Sequence, residues 1–135
     1  MPTPLRPLAR TDNVLSEELG SELVLYDEQR DIACRLNRTA ALVWKNADGS
    51  RTVADLVELL RQDLGEVANE DLVMIALDRL MDEGLIESGY EPRDLETATF
   101  SRRRFIRHAG VIGTAAVTLP VIQAIVAPTP SYALS

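Results

Sequence analysis

The chain has 135 residues, with one cysteine, one histidine and a formal net charge of −7. This length holds one small domain with appended segments, and a lone cysteine and histidine exclude a disulfide framework and any metal site built from several such ligands. Residues 1–98 carry ten Lys and Arg against all 21 Asp and Glu, whereas residues 99–135 carry four arginines and no acid. The acidic body is a poor match for nucleic acid, because phosphate contacts need Lys and Arg.

The first part of the chain predicts a short lead-in followed by a β-hairpin. Residues 1–12 hold three prolines and no apolar run, which indicates a flexible lead-in rather than a secretory signal. Residues 13–16 are compatible with a short first strand. Glu22–Tyr26 and Asp31–Leu36 alternate their side chains between two faces, as strands do. The polar residues between these two runs suit an exposed hairpin loop.

The only cysteine lies in the second strand of this hairpin. Cys34 shares a face with Ile32 and Leu36, which predicts a small core residue. A catalytic thiol would need a histidine partner, and His108 lies in a different kind of segment. The sequence therefore points to no catalytic residue here.

Three helices are predicted after the hairpin, each with a capping residue at its start and a glycine at its end. The N-caps are Asn37, Thr52 and Asn69, and the terminating glycines are Gly49, Gly65 and Gly84. Trp44, on the first helix, is expected to seal sheet against helix. Residues 85–86 would form a last extended piece. We expect an α+β fold, in which residues 13–88 form a small winged helix-turn-helix-like domain with a three-stranded antiparallel sheet packed on three helices.

The third helix is apolar over Leu72–Leu77, which is more than one helix face can hold. One interpretation is a helix buried over a wide arc, and the other is a second face that forms one wall of a groove. A winged helix can bind DNA through its recognition helix. This helix would present five acidic residues against Arg79 alone, and phosphates would repel it.

Three segments of the domain together resemble the PqqD-like family, the peptide chaperones or recognition elements of ribosomally made, post-translationally modified peptide pathways, coenzyme PQQ biosynthesis among them. They are ELVLYDEQRDIACRLNRTAALVW at 22–44, DGSRTVADLVELL at 48–60 and VMIALDRLMDEGLIE at 73–87. The most specific element is L-N-x-T-A-A-x-x-W at 36–44. The resemblance covers about residues 13–88.

The resemblance implies a non-enzymatic adaptor without a cofactor or metal. In the family, the leader of a precursor peptide adds as an extra strand at the sheet edge, in a groove between the third strand and the third helix. Main-chain hydrogen bonds then supply affinity and side-chain pockets choose the sequence. The implied peptide-binding residues are Asp31, Ile32, Ala33, Cys34, Arg35 and Leu36 on the edge strand and Leu72, Ile75, Ala76 and Arg79 on the facing helix.

The captured peptide is presented in the family to a modifying enzyme, often a radical S-adenosylmethionine protein. This chain has no cysteine cluster for an iron–sulfur centre, so such chemistry would lie in a partner. Two alternatives from other classes stay open: a winged-helix regulator and a membrane-tethered scaffold for an unknown partner.

The end of the chain differs from the domain in composition. Residues 89–100 lose the apolar pattern and are predicted to be a linker, and residues 101–135 form a basic-plus-apolar tail. The tail resembles the twin-arginine export motif S-R-R-x-F-I and a signal-peptidase site. The motif residues are Ser101, Arg102, Arg103, Phe105 and Ile106, and the cleavage-like residues are Ser131 and Ala133. Since only two residues follow that site, cleavage would release no mature protein.

Three interpretations of the tail stay open. As an apolar helix, residues 109–127 would span about 28 Å, close to a ~30 Å hydrocarbon core, and would tether a cytoplasmic domain to the inner face of the membrane. The tail is otherwise an export-like element read by a translocase or peptidase, or a segment that its own domain recognises. The expected partners are a precursor peptide leader, a modifying enzyme and, through the tail, membrane or translocase, with no nucleic acid.

Overall fold

The computed structural model describes residues 5–112 and 119–126. Within these ranges the chain is α+β, which confirms the predicted class. The elements are β1 Leu8–Ala9, β2 Val14–Leu19, β3 Glu22–Asp27, β4 Ile32–Leu36, α1 Arg38–Asn46, α2 Val53–Leu64, α3 Glu70–Asp82, β5 Ile86–Ser88, α4 Leu95–Ile112 and β6 Ile122–Val126. A 3-10 turn, Gly65–Val67, connects α2 to α3.

The main sheet has four antiparallel strands in the described residues, in the order β2-β3-β4-β6. Strands β2 and β4 lie on either side of β3, so that Leu25 is opposite both Ser16 and Cys34. The predicted three-stranded sheet is therefore corrected, because a fourth strand comes from the predicted tail. The last extended piece of the domain, β5, does not join this sheet but pairs with β1.

The helices begin at the predicted capping residues. The Asn37 side chain accepts a hydrogen bond from the amide of Ala40 at 3.1 Å, and Asn69 does the same for the amide of Leu72 at 3.0 Å. Thr52 forms a reciprocal capping box with Asp55. Each bond pairs an amide that the first helical turn leaves without an intrahelical acceptor. The local sequence thus decides where these helices start.

The core lies between the inner face of the main sheet and the helices. Alternate residues of a strand share a face, and the inward residues Leu23, Leu25, Cys34 and Leu36 are all buried. Trp44 belongs to the same cluster and is 9% exposed, as the sequence predicts. Helix α3 is buried over a wide arc, which favours the first interpretation of its apolar run; its buried apolar residues are Leu72, Val73, Ile75, Ala76, Leu77 and Leu80.

The N-terminal segment, predicted to be a flexible lead-in, contributes a strand to the domain. Leu8 and Ala9 pair with β5, and Gly89 makes this close approach feasible. Its φ is +78°, and a Cβ at this position would lie 1.9 Å from the carbonyl oxygen of Arg6. Arg10 then donates to both carboxylate oxygens of Asp27, at 2.7 and 2.8 Å.

The structure also corrects the predicted apolar helical tail. Helix α4 takes in part of the predicted linker and all four tail arginines, and residues 122–126 form a strand. β-Branched Ile122 and Ile125 favour the extended state, and an open sheet edge offers partners for the backbone. Ser131 and Ala133 lie outside the described residues. No helix within residues 5–112 or 119–126 combines the length and hydropathy needed to cross a bilayer.

Candidate functional site

The outer edge of β4, where the family resemblance implies peptide binding, carries an added strand. That strand is β6 of the same chain. The two run antiparallel, with Leu36 opposite Ile122 at one end and Ile32 opposite Val126 at the other. The pairing covers every residue of β4.

The direction of the β4 amides follows from one hydrogen bond at the end of this ladder. The amide of Asn37 donates to the carbonyl oxygen of Val121 at 3.0 Å. In an antiparallel pair, every second residue points its N–H and C=O groups toward the partner. The amides of Ala33 and Arg35 therefore face β6 as well. An extended segment added at this edge can therefore accept hydrogen bonds from three outward amides on alternate residues, Ala33, Arg35 and Asn37.

Asn37 joins the start of α1 to the start of the added strand. While its side-chain oxygen caps α1, its side-chain nitrogen donates to the carbonyl oxygen of Leu119 at 2.8 Å. Its backbone amide holds Val121, so the same residue contacts both sides of buried Pro120. The residue that caps the first helix thus also fixes the position at which the added strand begins.

The predicted edge residues divide according to the face they occupy. Cys34 and Leu36 point into the core and offer an incoming peptide only their main chain. Ala33 and Arg35 lie on the opposite face of the sheet. Asp31 precedes β4 in a turn with φ +55°, where the Tyr26 hydroxyl donates to its carboxylate. Ile32 is half-buried.

Cys34 has the environment of a core residue, as the sequence predicts. Its side chain is 1% exposed. Burial, assisted by the negative charge of Glu83, raises the pKa of the thiol above its ordinary value. A protonated, buried thiol is a poor nucleophile.

Arg35 and Arg79, two of the implied peptide-binding residues, are both exposed. Arg35 forms an ion pair with Glu22 across the outer face of the sheet. Arg79 borders a hollow between α3 and α4, together with Ile75, Leu95 and Arg102. The two arginines thus lie in different surroundings.

The α3 side of the predicted groove is covered by α4. Leu72 and Ala76 are fully buried and Ile75 is 6% exposed. Helix α4 runs antiparallel to α3, so that its first residues lie near Asp78 and its later residues near Asp71. The structure therefore does not bring β4 and this face of α3 together as an open cleft.

Helix α4 is held to α3 by an ion pair and by a buried stripe. Arg104 donates to both carboxylate oxygens of Asp71 at 2.7 and 2.6 Å. Ser101, Phe105 and Ala109 are buried and recur every four residues. This spacing places them on one helix face, and it is the sequence signal that could have predicted the docked helix.

The segment before α4 is fixed to α3 through Asp78. Arg93 donates to this carboxylate and, at 2.9 Å, to the hydroxyl of Ser101. The Tyr90 hydroxyl also donates to Asp78. Burial, with Asp78 beside it, raises the pKa of Tyr90. Sequence reasoning missed this cluster because its members lie on α3, in the segment after β5 and on α4, and no local pattern joins them.

The export-like motif lies within α4. Ser101 and Phe105 are buried, whereas Arg102, Arg103 and Ile106 are exposed. The role of the motif in export stays a prediction.

The fold and the occupied edge define a class of protein: a small α+β domain in which an extended segment of the same chain is added to the sheet at β4. Residues 22–86, from β3 to the first residue of β5, match the family model described as Coenzyme PQQ synthesis protein D (PqqD). These residues are therefore a PqqD-like domain, which confirms the resemblance seen in the sequence. No curated protein and no solved structure matched the chain. Strand β6 and helix α4 lie outside the matched residues.

Proposed function

We propose that this chain is a non-enzymatic adaptor. It binds the leader of a ribosomally made precursor peptide by strand addition at the outer edge of β4 and presents the peptide to a modifying enzyme. PqqD family members are non-catalytic accessory proteins. The observation that carries the proposal is the β4 edge itself, which is paired with an extended segment along its whole length.

The main chain of β4 supplies the generic part of the affinity. The outward amides of Ala33, Arg35 and Asn37 match the carbonyl groups of an incoming strand whatever its side chains are. The side chain of Arg35 could also pair with an acidic residue of the peptide. That residue would compete with Glu22 for the guanidinium group. An exposed ion pair of this kind contributes about 0–1 kcal/mol, so it tunes specificity more than affinity.

The modifying chemistry belongs to the partner in this proposal. A radical S-adenosylmethionine enzyme holds its iron–sulfur cluster through several cysteine thiolates, and this chain has one cysteine. The adaptor's task is then to hold the leader in a fixed register, so that the following residues reach the enzyme.

We expect Arg35→Pro to weaken leader binding about tenfold, because proline removes one hydrogen-bond donor to the added strand. The comparison is made by calorimetry, with short peptides encoded beside this gene as ligands. The variants are made in a chain that also carries Gln123→Pro, which weakens the pairing of β6 with β4, because Gln123 lies opposite Arg35. Without this second substitution, Arg35→Pro would weaken the pairing of β6 with β4 as much as it weakens the binding of the ligand.

The matched control is Arg35→Ala, which removes the side chain but keeps the amide. Circular dichroism checks that both variants fold; proline is tolerated where an edge amide faces away from the rest of the sheet. A peptide that binds the proline and alanine variants with one affinity would place its site away from β4.

A further inference from the structure

Strand β6 contacts the domain as a bound peptide would. We propose that residues 119–126 are a resident ligand of the β4 edge: they fill it in the resting state, a client peptide displaces them, and their pattern defines the class of peptide that the edge accepts. The proposal rests on the proposed adaptor function. It adds the occupant of the free protein and the chemistry of the client.

The contacts of this segment are concentrated at its start. Pro120 is buried and Ile122 is 6% exposed, whereas Val121 and Ile125 are each 47% exposed. Leu119 packs against the core, and Asn37 holds its carbonyl oxygen. From there on the segment is held mainly by its backbone.

This pattern describes the client. It is an extended segment that begins with an apolar residue and proline and carries one large aliphatic side chain two residues after the proline. The strand that follows needs β-forming residues but no particular side chain, because Gln123, Ala124 and Ile125 are exposed. The client runs antiparallel to β4, as β6 does.

The way β6 is held suits displacement. One well-buried aliphatic side chain and a short ladder give modest affinity, and the covalent connection compensates because a tethered ligand acts at an effective concentration on the order of millimolar. A client with stronger anchors can therefore displace the segment. Until then, the segment covers an edge that would otherwise pair with other chains.

The test uses the full chain and a labelled peptide, LPVIQAIV, which copies residues 119–126 and has lysines added for solubility. Gln123→Pro removes an amide that faces β4, since Gln123 lies opposite Arg35 in the hydrogen-bonded register. Ala124→Pro, the matched control, removes an amide that faces away from β4. We expect the peptide to bind the Gln123→Pro chain at least about tenfold more tightly than the parent, because the tethered competitor is weakened. The control should behave like the parent.

Hydrogen exchange of the Ala33, Arg35 and Asn37 amides gives a second readout. These amides should be protected in the parent and in Ala124→Pro, exchange fast in Gln123→Pro, and regain protection when the peptide is added. A second pair of variants avoids proline: Ile122→Ser removes the buried anchor, and Ile125→Ser changes a half-exposed side chain at the other end of the strand. Only the first should open the edge.

Equal affinity of the peptide for the parent and both edge-opening variants would overturn the proposal. So would edge amides that stay protected in these variants, because β6 would then be a fixed part of the sheet. Failure of the adaptor function looks different: LPVIQAIV would bind the opened chain, whereas peptides encoded beside the gene would not. If those peptides bind the parent and the opened chain equally, the adaptor stands and the resident ligand does not.

Discussion

Replacing Trp44 with alanine is expected to lower the free energy of unfolding by about 3–5 kcal/mol, the usual loss for a buried aromatic ring. Trp44 is 9% exposed and lies in the main hydrophobic cluster. A small domain has about 5–15 kcal/mol of stability in total, so this variant should melt far below the parent. Thermal and urea denaturation followed by far-ultraviolet circular dichroism measure the loss, since the fluorescence of the only tryptophan disappears with it.

The matched control is Trp44→Phe. The indole nitrogen is buried and meets no hydrogen-bond acceptor within the described residues, so phenylalanine removes no bond found in them and keeps much of the buried area. We expect it to lose less than half of the stability that alanine loses. If the alanine variant melted at the same temperature as the parent, Trp44 would not be a core residue.

Replacing Arg10 with methionine is expected to lower the free energy of unfolding by about 3–5 kcal/mol at neutral pH, because it leaves a buried carboxylate without its cation. The side chain of Asp27 is 2% exposed and that of Arg10 is 15% exposed. Arg6→Met is the control: Arg6 is exposed and makes one long bond, 3.4 Å, to the carbonyl oxygen of Ser50. Its loss should leave stability nearly unchanged.

The same ion pair predicts a pH dependence. The hydrogen bond from Arg10, assisted by the amides of Arg30 and Gln29, lowers the pKa of Asp27 from 3.8 to about 2. Because the folded-state pKa lies below the unfolded value, the stabilisation is complete above about pH 4 and is lost as pH falls toward 2. It amounts to about 2 kcal/mol. Urea denaturation across this window should show the loss in the parent.

In Arg10→Met, the slope between pH 4 and pH 2 should shrink or reverse. Burial without a cation raises the pKa of a carboxyl group. Protonation of Asp27 at low pH would therefore raise the free energy of unfolding of the variant. Parallel profiles for the parent and for Arg10→Met would assign the acid sensitivity to other carboxyl groups.

The tail arginines take different roles once α4 is docked. Arg104 pairs with Asp71 on α3, while Arg102 and Arg103 remain exposed. Phe105, from the same motif, is fully buried. A receptor that needs the whole motif in extended form would have to unfold and detach this helix, which couples any such recognition to the stability of the α3–α4 contact.

The sequence by itself determined the parts of this protein whose causes are local. The hairpin follows from alternation within β3 and β4, and the helix starts follow from Asn37, Thr52 and Asn69, each of which bonds an amide three residues away. The inward positions of Cys34 and Trp44 follow from strand and helix periodicity. The L-N-x-T-A-A-x-x-W segment was specific enough to indicate the family, which the match over residues 22–86 confirms.

Only the tertiary structure decided what fills the β4 edge and what covers α3. The segment Ile-Gln-Ala-Ile-Val is too short for its apolar pattern to separate strand from helix, and its partner Arg35 lies 88 residues before Gln123. The Arg10–Asp27 and Arg104–Asp71 pairs likewise join distant residues whose charges alone suggest solvated surface. Such contacts depend on which surfaces remain open after the local elements have packed, and a single sequence does not record that.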